Sequence, residues 1–554
     1  MKKILYILLF CVLPSVVAAQ VEKSVEVVKD YVPSVAGATK LPIVPNMVDT
    51  VMLRPDIDYS ITPLAMATTL THNSIRPATV TYWEFNRPQP FYLKLGAGYP
   101  FRSVVDFYAS TQNTSTGYLL GYLNHDGRYA DIRNDFGLKA NSLQMNNRVG
   151  IAAGKYIGSH LFEGEFTYDN RLRHRYGTVV TDDASSALIN YGEFGVKVRF
   201  GDDFKDLHRL NFNIALQGTL FNDASDVATN ISKARQTQLG VNLALARKFG
   251  HHTIRLQGLY EHRAGVRAIA DYWDDVLSAG VRYGYDGEVV DFALGADYYY
   301  DKIVGAAERH YVIPALSVRF NFGSQAFIPT IEVDGKLRNN SFATLTQLNP
   351  YTTRMWLDKS TIDYNMRVGV DGALAGGKLA YRIFAEVSIH ENQLLWTVTD
   401  PHTRMEVAAF QPMQAHQTVV SFNGELEYKP SNRFHFLVGL HGYTYDENAS
   451  LHNGSPSFEG RVQARYYAKN VSFGVTATML GERAWSIVDG NMEQLVGSFC
   501  VPFTVDLSAD VAWQLSSGIS LFAELRNLAD VRLYELPYYR DYGVGFMAGV
   551  KFAF

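Results

Sequence analysis

The last eleven residues constrain the fold more than any other stretch of this chain. Val544, Phe546, Ala548, Val550, Phe552 and Phe554 fall on one face of an extended strand, and Gly545, Met547, Gly549, Lys551 and Ala553 fall on the other. Period two with one apolar face is the pattern of a strand that meets hydrocarbon on one side. No later apolar run reaches the roughly twenty residues a membrane helix needs. A chain can cross a bilayer with strands only if they close into a ring, because an unpaired edge in hydrocarbon is too costly. The expectation is an all-β, transmembrane antiparallel β-barrel.

Composition supports this. Aromatic residues make up 13% of the chain, with 34 Tyr and 32 Phe, and there are 44 Gly. Mean hydropathy is only -0.09, because alternation hides apolar surface from an average. The net charge of -4, without basic clusters interleaved with aromatics, argues against nucleic acid as a partner.

The N-terminus reads as a secretion signal over residues 1–19. Lys2 and Lys3 precede the apolar run Ile4 to Leu13, and Val17 and Ala19 suit a signal peptidase. Past that segment one cysteine remains, Cys500, so neither an internal disulfide nor a multi-cysteine metal site is expected. Residues 20–102 hold nine of the chain's 19 prolines, from Pro33 to Pro100. Each proline removes a ladder donor, so this region reads as an extended periplasmic or luminal segment without a folded plug.

The barrel is expected over 103–554. Short connections, read as periplasmic turns, recur near Gly127 to Arg133, Lys155 to Ser159, Gly201 to Arg209 and Lys248 to His251. They continue near Tyr285 to Glu288, Asn321 to Ser324, Ala375 to Lys378, Lys429 to Arg433, Ala468 to Asn470 and Ser516 to Gly518. Long loops lie between them, including Asn170 to Leu188, Asn339 to Thr361, His390 to Ala415 and Asn527 to Tyr542. Short turns on one side and long loops on the other is the outer-membrane pattern, with both termini in the periplasm. Parity then gives about 22 strands, with 16 to 24 compatible, and leaves Phe91 to Gly98 either outside the ladder or as part of a 24-strand ring.

The period also sorts the charges. Glu163, Glu165, Arg382, Glu386, Glu524 and Arg526 alternate with apolar residues and are expected to face the lumen, since an arginine or lysine facing lipid costs about 2–4 kcal/mol at the midplane. Phe546, Val550, Phe552 and Phe554 form the lipid face of the closing strand. Arg171, Arg173 and Arg175 lie where a strand enters a long loop, and bidentate geometry suits them to lipopolysaccharide phosphates.

No catalytic motif is present: the chain holds no Gly-x-Ser-x-Gly, no His-Glu-x-x-His and no P-loop. His251-His252 lacks a third ligand, and the spacing of Asp271, Asp274 and Asp275 fits no calcium loop. No enzyme, cofactor or metal role is expected.

The chain end supplies a resemblance. Asn527-Leu528-Ala529-Asp530, Tyr534, the stretch Tyr538 to Tyr542 and the closing strand resemble the C-terminus of TonB-dependent receptors, with Ala529 standing where an aromatic is usual. Lys29 to Pro33, Ala38, Lys40, Pro45, Asp49-Thr50, Tyr59 to Pro63 and Pro77-Ala78 resemble the N-terminal region of plugless receptor-like barrels from the Bacteroidota. Val25 to Val28 has the form of a TonB box. The resemblance implies a barrel without energy coupling that serves as a subunit or scaffold of an outer-membrane complex, in protein assembly or export. Its partners would be lipids, lipopolysaccharide and other outer-membrane or periplasmic proteins. A passive channel for a small nutrient is the alternative, and a receptor with a reduced plug is the third reading. A wide ring must have its lumen filled or conduct. The aromatic and polar mixtures at Tyr351 to Trp356 and Gln393 to Trp396 suit loops that fold inward or hold a partner.

Overall fold

The computed structural model describes residues 90–111, 116–179, 188–225, 233–402, 408–446, 454–489 and 495–554. The expected signal segment, the TonB-box-like stretch and nearly all of the 20–102 segment lie outside these residues.

Period-two patterning yields strands throughout. The first group is β1 (Phe91–Tyr99), β2 (Arg102–Ser110), β3 (Gly117–Arg128), β4 (Asp131–Arg133), β5 (Lys139–Asn141), β6 (Gln144–Ile157) and β7 (His160–His174). Next come β8 (Leu188–Gly201), β9 (Asn211–Asp223), β10 (Ala234–Phe249), β11 (His252–Arg267), β12 (Trp273–Asp286), β13 (Val290–Ile303), β14 (Arg309–Phe320) and β15 (Ile328–Arg338). A helix, α1 (Phe342–Leu348), precedes β16 (Thr361–Leu374), β17 (Leu379–Thr399), β18 (Phe410–Ser431), β19 (Phe434–Tyr445), β20 (Phe458–Tyr467) and β21 (Val471–Leu480). The last are β22 (Arg483–Val488), β23 (Leu495–Val501), β24 (Thr504–Ser516), β25 (Ile519–Arg526), β26 (Tyr534–Leu536), β27 (Tyr539–Arg540) and β28 (Gly545–Ala553).

Of the 24 strands in the main sheet, 22 close an antiparallel ring, and β22 with β23 forms a hairpin on its rim. The ring closes where β1 pairs with β28, Tyr92 opposite Ala553 and Tyr99 opposite Phe546. Phe91 and Phe554 exchange backbone hydrogen bonds of 3.0 and 3.1 Å and stack their rings at 5.5 Å. Among the described residues no helix is long and apolar enough to cross a membrane; the crossing is by strands.

The strand number agrees with the sequence reading, but its membership differs in two places. Phe91–Tyr99 is inside the ladder, so the barrel begins before residue 103. Conversely, 129–143 joins β3 to β6 at the end opposite Phe91 and Phe554 and carries only the small β4–β5 hairpin. Gly127 to Arg133 is therefore no terminal-end turn. The other nine short connections lie at the end that holds Phe91 and Phe554. Strand β1 reads weakly because of Gly96 and Gly98, yet both glycines are needed. A Cβ on Gly98 would lie 2.1 Å from the Phe546 carbonyl oxygen, and one on Gly96 would lie 3.0 Å from the Phe522 ring that covers it.

The wall has two faces. Phe162, Phe166 and Tyr168 of β7 are exposed on its outside, and Glu163 and Glu165 alternate with them inside. The same alternation exposes Leu239, Val241 and Leu243 on β10, and Phe546 with Phe554 at the seam. A band of exposed apolar side chains around a closed ring is stable only in hydrocarbon, so the barrel spans a membrane.

Candidate functional site

The inner wall is lined by charges that neutralise one another. Arg367 spans Glu386 at 2.6 Å and Glu332 at 2.8 Å. Arg382 binds Asp371 at 2.8 Å, Glu165 accepts from the Tyr122 hydroxyl at 2.9 Å, and Glu163 accepts from Tyr118. At the seam Glu524 lies between Lys94, at 3.9 Å, and Arg526, at 3.3 Å. Glu163, Glu165, Arg382, Glu386, Glu524 and Arg526 each alternate along their strands with the exposed apolar side chains. Such half-buried pairs brace neighbouring strands.

The main departure from a plain pore is at the end opposite Phe91 and Phe554. There the long loops cross the mouth and share one buried core. The segment 339–360, between β15 and β16, carries α1. Ser341 caps the helix by accepting from Thr344 N, and Phe342, Leu345 and Thr346 face inward and are buried. The helix is too short to stand alone. Distant wall strands hold it at both ends. From β10, Gln236 Oε1 accepts from Ala343 N at 3.1 Å, and its amide donates to Ser341 Oγ at 3.0 Å. From β7, Arg171 donates to the Thr346 carbonyl at 3.1 Å, placing a cation at the helix C-terminus where the dipole favours one. Tyr191 donates to the Pro350 carbonyl at 2.9 Å, and Arg354 meets the buried carboxylate of Asp223 at 2.5 Å.

Beyond the helix, Tyr351 is fully buried and stacks on Tyr539 of the last loop, with centroids 3.8 Å apart and rings 21° from parallel. Tyr176 and Phe410 complete the cluster, at 5.0 and 6.0 Å from Tyr539. Backbone groups tie the same loops together. Ala408 N donates to the Gly177 carbonyl at 2.7 Å, the Tyr539 hydroxyl donates to the Ala408 carbonyl at 2.9 Å, and Thr353 N donates to the Phe410 carbonyl at 2.9 Å. Segments from nearly opposite sides of the ring thus meet over its centre. Leu394, Leu395 and Trp396, on the end of β17, are buried in or beside this lid.

The terminal motif has a local physical role. Asn527 adopts φ 47° and is 2% exposed. Its side chain donates to the Val531 carbonyl at 2.8 Å and accepts from Val531 N at 3.0 Å. That clasp starts the last loop and aims Tyr534 to Tyr542 at the lid. Within the loop, burial pushes the Glu535 carboxyl up to about 7, with Asp541 adding to the rise and Arg173 and Arg128 opposing it. Burial, reinforced by Asp135, raises the Tyr534 phenol to about 12.

The three arginines read as lipopolysaccharide contacts are placed differently. Arg171 and Arg173 lie on the inner face of β7, and Arg175 follows its end. Arg173 is buried and donates to the Met145 and Leu172 carbonyls and to Asn146. Arg171 stacks over Tyr191 and holds α1, and Arg175 is close enough to influence Tyr351 and Tyr539 electrostatically. They serve the lid rather than the outer surface. Period-two counting from Glu163 gives the inner face for all three, but their loop-edge position obscured it. Asp274 and Asp275 fall on opposite faces, bonded to Arg263 and to His262, so they form no shared cation site. His251 and His252 are hydrogen-bonded to the Asp286 carbonyl and the Tyr283 hydroxyl. Among the described residues no three His, Cys, Asp or Glu side chains converge as metal ligands.

No family model and no curated protein matches the sequence. Solved structures do match the fold. The FrpB iron transporter from Neisseria meningitidis superposes with a TM-score of 0.66 at 11% identity, over 85% of this chain and 83% of that one. The ferric enterobactin receptor PfeA from Pseudomonas aeruginosa gives 0.65 at 12% identity, over 84% and 80%. The copper transporter OprC gives 0.62 at 13% identity, over 84% and 81%. At such identities the likeness is one of fold alone.

Proposed function

We propose that this chain is an integral outer-membrane barrel with its termini in the periplasm and its lid toward the outside. In this reading it works as a closed, non-enzymatic scaffold, a subunit of an outer-membrane protein complex that serves envelope protein assembly or export. The observation that carries the reading is the shared core over the mouth. A passive nutrient channel needs an open path, whereas Tyr351, Tyr539, Tyr176 and Phe410 pack where that path would run. Among the described residues the ion pairs named on the inner wall join both signs of charge, unlike the one-sign lining that draws ions into a selective pore.

A second reading is a gated transporter. The fold likeness to a copper transporter, an iron transporter and a ferric enterobactin receptor favours it. It requires the lid to unpack during each cycle, and it requires an energy source. Mild-detergent extraction of the tagged protein from its native outer membrane, read on a native gel and by mass spectrometry, separates the two. The scaffold reading expects a stoichiometric set of envelope proteins. Recovery of the chain alone, together with energised uptake of a metal chelate, would replace it with the transporter reading.

A further inference from the structure

The hairpin on the rim offers a surface that the lid does not use. Strand β22 joins the end of β17 in parallel, Val398 opposite Ile487 and Thr399 opposite Val488, and β23 adds to β22 antiparallel. Among the described residues β23 pairs with β22 on one edge, and β24 pairs with β21 and β25 instead of with β23. The strand reads Leu-Val-Gly-Ser-Phe-Cys-Val, without charge or proline. One face of it is fixed: Phe499 packs on Tyr534 and Tyr538 at 5.4 and 4.8 Å, and Val501 is buried. The opposite face, Val496, Ser498 and Cys500, is exposed, and Leu495 near the tip is 60% exposed. An anchored, uncharged edge has the chemistry that natural sheets otherwise blunt with lysine or proline.

We propose that the free edge of β23 is a docking site for an extended, uncharged, apolar segment of a different envelope protein, which adds to the sheet as its next strand. This inference rests on the scaffold reading. The unmet groups are a row of backbone N–H and C=O, and only another strand satisfies such a row. A second copy fits poorly. Two barrels upright in one membrane are related by an axis along the membrane normal. Their β23 strands, each running antiparallel to its own β17, would meet in the same sense and level, with like backbone groups opposed instead of staggered as a parallel ladder requires.

The test uses the Cys500 thiol as a native reporter on the docking face. Maleimide labelling is compared in native outer membranes and in purified protein, and a thiol-anchored photocross-linker then identifies the neighbouring peptide. The expected result is labelling several-fold slower in membranes, with cross-links to an extended apolar segment of another chain. In V496K/S498K, which leaves Phe499 and Val501 in place, membrane labelling should rise to the rate of the purified variant. Equal labelling of the native chain in both states would overturn the proposal. So would cross-links to a second copy, or protection that survives V496K/S498K. If co-purifying partners are found while Cys500 stays unprotected, this edge is excluded and the scaffold reading stands. If the chain purifies alone, the scaffold reading itself fails.

Discussion

The wall and the lid are built from the same chain by opposite rules. In the wall every strand meets the next in sequence, or nearly so, and each residue's environment follows from its parity. In the lid the contacts join residues far apart, Tyr176 to Tyr539 and Tyr351 to Tyr539, and no period relates them. The wall spreads its stability over many similar cross-strand pairs, each worth about 0.2–1 kcal/mol. The lid concentrates its stability in a few buried aromatics and in buried ion pairs such as Arg354 with Asp223 and Arg263 with Asp274. Single substitutions should therefore be absorbed by the wall and felt by the lid.

The strongest way to break that comparison is to empty the centre of the lid. Truncating a large buried aromatic costs about 3–5 kcal/mol. Y351A/Y539A should melt the lid while the barrel stays folded. Hydrogen exchange should then accelerate in 339–360 and 531–542, while the wall strands keep their protection and the protein its heat-dependent mobility on gels. Next comes Arg354→Ala. It leaves the Asp223 carboxylate, 1% exposed, without its cation, at a cost of about 3–5 kcal/mol. Exchange should rise in 339–360 and far less elsewhere. Leu243→Arg addresses the wall instead. It puts a charge toward lipid near mid-strand, costs about 2–4 kcal/mol, and should lower barrel folding yield in vesicles without loosening the lid.

Two smaller effects sharpen the picture. The Glu535 carboxyl is raised to about 7, so the folded lid holds a proton that the unfolded loop has already released. Lid stability should therefore fall as pH rises from the ordinary carboxylate range through about 7, and level off above it. Glu535→Gln should flatten that dependence, as read by exchange in 531–542 between pH 5 and pH 8. Last, the Tyr351 hydroxyl is buried without a partner among the described residues. Tyr351→Phe keeps the stack and removes an unmet polar group, so the lid should be unchanged or slightly firmer.

The sequence shows the wall because alternation is a local signal. Phe162 to Tyr168 and Leu379 to Ile389 give both the strand and its faces. It misplaces an element where the local signal is weak for a non-local reason. Strand β1 carries glycines that exist to admit Phe522 and the Phe546 backbone, contacts invisible within β1 itself. Gly127 to Arg133 has turn-like composition, yet β3 continues through Gly127 and Arg128 before the chain leaves the wall. In the lid, the aromatic character of Tyr351 to Trp356 and Gln393 to Trp396 is legible, and so is their suitability for folding inward. Their companions are not: nothing local to Tyr176 or Arg171 says that they meet loops from the far side of the ring.

The most direct test of the closed mouth is single-channel conductance of the native protein in planar bilayers, with Y351A/Y539A measured beside it. The account predicts that the native barrel is silent apart from brief openings and that the variant conducts steadily. A steady conductance of the native protein, equal to that of the variant, would show that the lid does not seal the barrel.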